Sequence, residues 1–590
     1  MQNGDEKNNG QNKIISTNKA QCRDCYRCLR VCPVKAIKMV NGQAFVDPTR
    51  CILCGTCVLE CPQKAKVIRN DIGKAIDIIK NSELAAVSIA PSFVAVFKDW
   101  QQKRICSALR KLGFKHISET AIGADIVAKL TAHESNANLG KPIICSACPA
   151  VVNYIEKYTP ELIPNLAQIV SPMIAHAKYL KEKLGKQAKI IFIGPCIAKK
   201  SEAERPEYKG LIDAVLTFNE LNEWLKIEQI NLSECEESSF DDFPKAVARY
   251  FPLIGGLIKT ASLDTNGLAP DIISVSGFED IKSAILNLNT EKGAKIEIIE
   301  PLFCHQGCIN GPAISVDTNL FERRKEVIDF ANEQTGKKSL AKVDSENFKA
   351  DYKHFKIEEK KDITEEEIQK VLALTGKLNP EDELNCGACG YNSCRDKAVA
   401  VIKGMAEVEM CIPYMRMLAE RRTDKIIETS PNGIVILDDR LNIISMNAAF
   451  KKMFLCTEVV IGKKISYLID PSNFEKLATG ESTQIEIVEK YSNYNIVCHE
   501  ILYTMPEEKQ YVGIFINITN LEKSQEELEN IRQKTVQQAR ELLEHQINMA
   551  QQMAKLLGEN TARGEELVTN LMKISDEDSE KNDDGRKKII

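Results

Sequence analysis

The sequence predicts a multidomain chain: a small cysteine-rich head, a two-lobed α/β body, a short four-cysteine module, an α+β module and a C-terminal helix. Three observations carry this. A Cys-x2-Cys-x2-Cys-x3-Cys-Pro run occurs twice within residues 21–80, and short β-rich runs alternate with helical stretches across 81–345. After residue 424 the cysteine grouping stops and strand pairs around tight turns begin. With 590 residues, 44% hydrophobic and 27% charged, the chain is long enough for several separate cores.

The net charge of -5 comes without a large basic block, which excludes nucleic acid as the expected partner. The N-terminal MQNGDEKNNGQNKIISTNKAQ lacks the apolar centre of a secretory signal, and nowhere do about eighteen apolar residues run together. The expectation is a cytoplasmic protein with no membrane span. Twenty-one cysteines in a reducing compartment point to metal binding or redox chemistry rather than disulfides.

Residues 1–20 are polar and expected to be disordered. In the head, Cys22, Cys25, Cys28 and Cys32 form the first run and Cys51, Cys54, Cys57 and Cys61 the second. In this arrangement three cysteines of a run hold one 4Fe-4S cluster and the fourth crosses to the other. The spacing therefore assigns Cys22, Cys25, Cys28 and Cys61 to one cluster and Cys51, Cys54, Cys57 and Cys32 to its neighbour. Two zinc sites fit this spacing poorly.

In the body, AAVSIA, KIIFIG and DIISVSG read as strands, and HAKYLKEKLG as a helix, which suggests parallel strands with crossover helices. Cys148 in CSACP, Cys196 in GPCIAKKSE, and Cys304 and Cys308 in EPLFCHQGCING lie where such strands end, and ligands of α/β sheets bind there. Four thiolates from three segments match a buried 4Fe-4S cluster between two lobes.

A Lys/Glu-rich stretch over roughly 320–380 leads to the module at 365–420. Cys386, Cys389, Cys394 and Cys411 make a further cluster candidate there, with glycines 387 and 390 allowing a tight fold around it; zinc stays open as the alternative. Residues 424–520 place two strands around a DD turn, a helix, and the strands IEIVEK, VCHEILYTM and YVGIFINIT. Residues 521–574 carry Leu521, Leu528, Thr535, Leu542, Met549 and Leu556 at sevenfold spacing, a dimerising helix with a patchy companion column. The charged end, 575–590, is expected to be disordered.

These segments resemble the iron-only, or FeFe, hydrogenases over residues 20–345. The resemblance implies a ferredoxin-type head and a two-lobed domain holding the H-cluster, a cubane on Cys148, Cys196, Cys304 and Cys308 bridged through Cys308 to a two-iron centre with carbon monoxide, cyanide and a dithiolate. It implies that Lys199 and Ser92 hydrogen-bond the cyanides. The family has a proton-relaying cysteine at the position of Ala147, so the relay thiol is missing. Gly194 and Leu302 replace two pocket methionines, Met173 a glutamine, Ala167 a serine and Thr131 a glutamate of the proton path, whereas Glu134 aligns with the next one. Cys145 is a candidate substitute donor, although a cysteine at a strand end is more often simply packed.

The module resembles the small four-cysteine iron–sulfur modules of corrinoid and membrane redox proteins, and 424–520 resembles a PAS domain. A hydrogenase subgroup with this combination is regarded as sensory. The implied function is slow, reversible oxidation of H2, with electrons leaving along three 4Fe-4S clusters and a signal passing through PAS and helix. Implied partners are H2 and protons, a ferredoxin-like redox partner, maturation proteins, a kinase or phosphatase, and a second copy in a homodimer. A metabolic ferredoxin-linked hydrogenase and an iron–sulfur scaffold lacking the two-iron centre are the alternatives. In the PAS span, Cys456 and Cys498 read as packed thiols, and His499 leaves haem ligation open. His545 lies on the terminal helix with no kinase ATP-binding domain after it.

Overall fold

A computed structural model describes residues 13–137, 141–263, 271–288, 296–315, 317–333, 345–357, 362–557, 569–570 and 572–573. The expectations for residues 1–12 and for the 575–590 tail lie outside them. The chain divides into two compact units, Met1–Met415 and Arg416–Ile590.

The head of the first unit has four short strands, β1 (Ile15–Thr17), β2 (Ile37–Val40), β3 (Gln43–Val46) and β4 (Lys66–Ile68). β1 pairs antiparallel with β4, and β2 with β3. The expected disordered stretch 1–20 is thus corrected at its end. Ile15 pairs with Ile68 and is 3% exposed, an apolar anchor hidden in the sequence by its Asn and Lys neighbours.

The body contains β5 (Ala85–Ile89), β6 (His116–Glu119), β7 (Ile143–Ile144), β8 (Lys189–Gly194), β9 (Ala214–Thr217), β10 (Ile272–Ser276) and β11 (Ile298–Leu302). They form two sheets, β6-β5-β8-β9 and β10-β11-β7, with every pairing parallel. Strands buried on both faces read as continuous apolar runs, and all five residues of β5 are buried. Two helices over Ala121–Ala137 and Pro172–Leu184 approach closely at Gly123, where a Cβ would stand 2.1 Å from the Pro172 carbonyl oxygen. On the second of these helices His176 bridges the hydroxyls of Ser88 (2.7 Å) and Ser118 (3.0 Å), and burial drops its pKa to about 3, leaving the ring neutral.

The body does not end at 345. Residues 345–357 lie across it as a strap: Val170 N–H donates to Phe348 O, Ala350 N–H to Gln168 O, Phe355 N–H to Glu156 O and the Tyr352 hydroxyl to Ile169 O. The charged sequence reads as a linker, but Phe348 and Tyr352 are buried anchors within it. The module follows, with helices over Glu365–Leu374 and Cys394–Ile402, each opened by a capping box, at Thr364 and Ser393. It seats on the head: Met39 N–H donates to Met405 O, Lys35 Nζ to Gly390 O at 2.8 Å and Arg30 to Ala388 O at 3.1 Å.

The second unit is an antiparallel sheet of β12 (Gly433–Leu437), β13 (Ile443–Met446), β14 (Gln484–Tyr491), β15 (Ile496–Met505) and β16 (Gln510–Asn517), in the order β13-β12-β16-β15-β14. The Asp438 carboxylate closes the first hairpin by accepting from the backbone N–H groups of Arg440 and Asn442. Phe450, Phe454, Phe474 and Phe515 fill the core. Asn447 ties the preceding Ile412–Thr429 helix to this sheet, donating to Ile427 O at 2.9 Å while accepting from Ile434 N–H. A long helix spans Thr519–Leu557; Leu521, Leu528 and Leu542 on its sevenfold column are exposed.

Candidate metal centre

The carboxyl ends of four parallel strands converge on one cavity. Beyond β5, Ser92 lies in the short helix Pro91–Ala95; beyond β7, Cys148 caps the Pro149–Tyr158 helix. Beyond β8 come Cys196 and then Lys199 in the Ala198–Ala203 helix, and beyond β11 come Cys304 and Cys308. Ser92, Ala147, Cys148, Cys196, Lys199, Cys304 and Cys308 all line this cavity. Gly307, at φ +94°, brings the last loop against Pro252, where a Cβ would stand 2.4 Å from the carbonyl oxygen.

Burial pushes the thiols of Cys308 and Cys304 well up and that of Cys196 to about 11, and the neighbouring cysteines raise them further. Three thiols raised in this way, gathered around one cavity, do not ionise together unless a cationic group sits among them. Among the described residues, no three Cys, His, Asp or Glu side chains converge on a point as one ion requires; the four thiols surround a space instead. The remaining wall is also chemically marked. The Ser92 hydroxyl is 1% exposed and has no hydrogen-bond partner, so it is a donor aimed at an absent acceptor. Lys199, also buried from solvent, pairs with Glu202 at 2.8 Å and still borders the cavity. A cubane with an anionic two-iron extension fits this donor set.

The residues that the resemblance assigned to a proton path have other partners or are packed. Ala147 brings only a methyl group to the cavity wall. The Thr131 hydroxyl donates to Val127 O at 2.9 Å, and Ala167 is buried. Glu134 accepts from Gln168 N–H at 3.2 Å, and burial raises its pKa. Cys145 does not line the cavity: it is packed with Leu257, Ile258 and Ile298, and burial lifts its thiol well above the ordinary range, which removes the geometry for the substitute-donor idea. Gly194 is backed by the Phe192 ring, which would lie 2.7 Å from a Cβ there and itself lines the cavity beside Leu302 and Met173.

Glu300 was missed in the sequence, although an acid inside the apolar run IEIIEPLF was its signal. It is 3% exposed on β11, accepts from Leu257 N–H (2.9 Å) and Ser274 Oγ (2.8 Å), and neighbours both Cys145 and Cys308. Burial lifts its pKa to about 7, against the pull of those donors. Because this folded value exceeds the unfolded one, its contribution to stability is complete below the unfolded pKa and is lost as pH rises through 7. The loss is on the order of 3 kcal/mol. Glu300→Gln removes this dependence, so the variant gains on the wild type between pH 5 and 8 in thermal unfolding of the metal-free protein; parallel pH curves would refute the assignment.

In the head, Cys22, Cys25, Cys28 and Cys61 line one cavity. Cys57 has Cys54, Cys51 and Cys32 as its charged neighbours after the burial that raises it. Cys54 also borders the main cavity and neighbours Cys304, so the second head site adjoins it. Cys386, Cys389, Cys394 and Cys411 line a cavity in the module, beside Lys377, Tyr391 and Lys397, none of which the sequence had singled out. In the second unit His499 pairs with Glu486 at 2.8 Å on the sheet surface rather than facing an interior pocket, Cys498 is buried and Cys456 lies 3.7 Å from Met446.

Comparison with known proteins gives four family matches: the C-terminal domain of the iron-only hydrogenase large chain over residues 83–312, a 4Fe-4S dicluster domain over 14–73, a putative Fe-S cluster family over 382–413 and a PAS domain over 421–488. The NADP-reducing hydrogenase subunit HndD of Solidesulfovibrio fructosivorans is 26% identical over 52% of this chain and 66% of its own length. Iron hydrogenase 1 of Clostridium pasteurianum is 28% identical over 45% of this chain and 64% of its own. The chain thus spans just under two thirds of these two relatives. The "Probable cytosolic Fe-S cluster assembly factor oxy-4" of Caenorhabditis elegans is 25% identical over 47% of this chain and 73% of its own length. Among the described residues no helix is long and apolar enough to cross a membrane.

Proposed function

We propose that this chain, which carries an FeFe-hydrogenase-like catalytic domain together with iron–sulfur and PAS domains, is a sensory hydrogenase of low turnover. In this reading Cys148, Cys196, Cys304 and Cys308 hold the H-cluster, with Cys308 as the bridge to its two-iron part. When bound, that group supplies the cleavage H2 = 2 H+ + 2 e-.

The protein's own part is to hold and exclude. Ser92 and Lys199 donate to the anionic ligands, a charge-assisted arrangement that offsets their desolvation. The apolar wall of Phe192, Met173, Leu302 and Phe251 keeps water out. Ala147 withholds the proton carrier that fast turnover needs. Electrons leave by the head sites, starting near Cys54, and reach the module through their shared contact. Charge on these clusters biases the conformation read by the PAS domain, the terminal helix and a downstream kinase or phosphatase, with a homodimer formed along the exposed leucine column. A ferredoxin-like protein and maturation proteins are the other partners.

The observation that carries this reading is the unpartnered Ser92 hydroxyl beside Lys199 and four thiols in one cavity. The similarity to an iron–sulfur assembly factor supports a second reading, a scaffold that never receives the two-iron centre. Infrared spectroscopy of protein matured under anaerobic conditions separates them. The hydrogenase reading requires carbon monoxide and cyanide bands that shift when H2 is admitted; a scaffold has none.

A further inference from the structure

We propose that Lys377 and Lys397 make the Cys386/Cys389/Cys394/Cys411 module the electron store of the chain, and that the Ile412–Thr429 helix carries its charge state toward the second unit. The proposal rests on the reading that this module holds a 4Fe-4S cluster.

Two ammonium groups are buried at this site. Lys377, 7% exposed, donates from Nζ to the Cys411 sulfur at 3.2 Å and to the carbonyl and hydroxyl oxygens of Thr375. Lys397, 5% exposed, donates to Val408 O at 2.8 Å. The charges that act most on Lys397 are the thiols of Cys411, Cys389 and Cys394 and the ammonium of Lys377. A buried ammonium without a counter-anion is costly, and a second one beside it doubles the difficulty. Ionised thiolates around a cluster supply that anion, and reduction adds one more negative charge.

Cations and N–H···S hydrogen bonds near a cluster therefore stabilise its reduced form over its oxidised form and raise its potential. A 4Fe-4S group held by these four cysteines would accept one of the two electrons of H2 oxidation, the second being taken by a cluster of the head, and both protons would leave separately. Around Cys28 in the head, by contrast, one ammonium, Lys66, opposes the thiols.

The same cysteine opens the outgoing helix. Cys411 O accepts the first helical hydrogen bond, from Met415 N–H at 2.8 Å, so its backbone is part of the first turn while its sulfur touches Lys377. At the far end, Asn447 holds Ile427 O. A change in the Lys377–Cys411 contact on reduction thus acts on the first turn of this helix.

The test uses the full chain, reconstituted anaerobically with iron and sulfide and titrated potentiometrically with electron paramagnetic resonance. Cys394→Ser identifies the module signal. In Lys377→Met the oxidised-to-reduced ratio of that signal, at the wild-type midpoint, should rise at least tenfold, equivalent to about 59 mV for one electron. The head signals should not move, and Lys377→Arg should restore the midpoint. Hydrogen exchange over residues 412–429 should differ between oxidised and reduced wild type, with the difference following the shifted potential in the variant. If Lys377→Met loses iron, Lys397→Met is titrated in its place under the same criteria. An unmoved module midpoint, or equal exchange in both redox states, overturns the proposal. Should Cys394→Ser remove neither iron nor a signal, the cluster reading itself fails, and the proposal with it.

Discussion

Replacing Ala147 with cysteine is expected to raise hydrogen turnover of the matured protein by about 10²-fold. A positioned proton donor contributes roughly 10² to 10⁴ in rate. Residue 147 borders the cavity next to Cys148, so a thiol there enters the space where a proton must be delivered. The lower end of the range applies because the side chains beyond offer no free donor: the Thr131 hydroxyl is committed to Val127 O and the Ala167 side chain has no polar atom. Burial also raises the pKa of Glu134 and lifts that of Glu300 to about 7. Equal infrared band intensities in the two proteins establish equal loading, and H2 uptake and evolution are then compared. An unchanged rate would place the slow step in electron exit and would remove the argument that Ala147 is what slows the site.

Slow chemistry suits a detector, since the reduced fraction of a cluster chain at equilibrium depends on H2 and pH but not on turnover. In the sensory reading proposed above, the second unit responds to a lasting charge difference, which a differential interaction with two conformations converts into a population shift. Without a readout of that kind, removal of the proton relay would only impair an enzyme.

The cysteine framework was legible because cluster ligation imposes covalent spacing on the sequence: a residue shifted by one in Cys22–Cys32 or Cys51–Cys61 loses its place around a cube. The parallel strands were legible for a related reason, since burial on both faces leaves β5 and β8 almost no polar positions. What escaped notice depends on contacts far apart in the chain. Lys377 reads as a surface lysine until the fold sets it on Cys411, and Glu300 as an ordinary strand residue until Leu257 and Ser274 enclose it. Cys145 carried two readings, substitute donor and packed thiol, of which the second is the commoner for a cysteine at a strand end. Its position two residues from Ala147 suggested a substitute, but the fold turns it into the Leu257 cluster instead of the cavity. The strap at 345–357 was hidden by its charge, because two aromatic anchors suffice to dock a segment whose other side chains stay largely in water.

Cys308→Ala is expected to abolish the carbon monoxide and cyanide bands and all hydrogen turnover, while the head and module keep their iron. The effect should be chemical and not a folding failure. The backbone at this position is fixed independently of the sulfur: Cys308 N–H donates to Pro252 O at 2.8 Å, and Gly307 packs against the same carbonyl. An alanine methyl fits a wall already lined by Ala147 and Pro312. The thiol itself is held up by burial and by Cys148 and Cys196, with Lys199 as the opposing charge, so its removal takes away a repelled group from an otherwise intact enclosure. Thermal unfolding of the metal-free variant should therefore match the wild type to within about 1 kcal/mol. Electron paramagnetic resonance reports the head and module clusters separately from the infrared measurement of the two-iron part. Persistence of the bands in the variant would mean that the bridge lies elsewhere, and retention of turnover would remove Cys308 from the site's chemistry altogether.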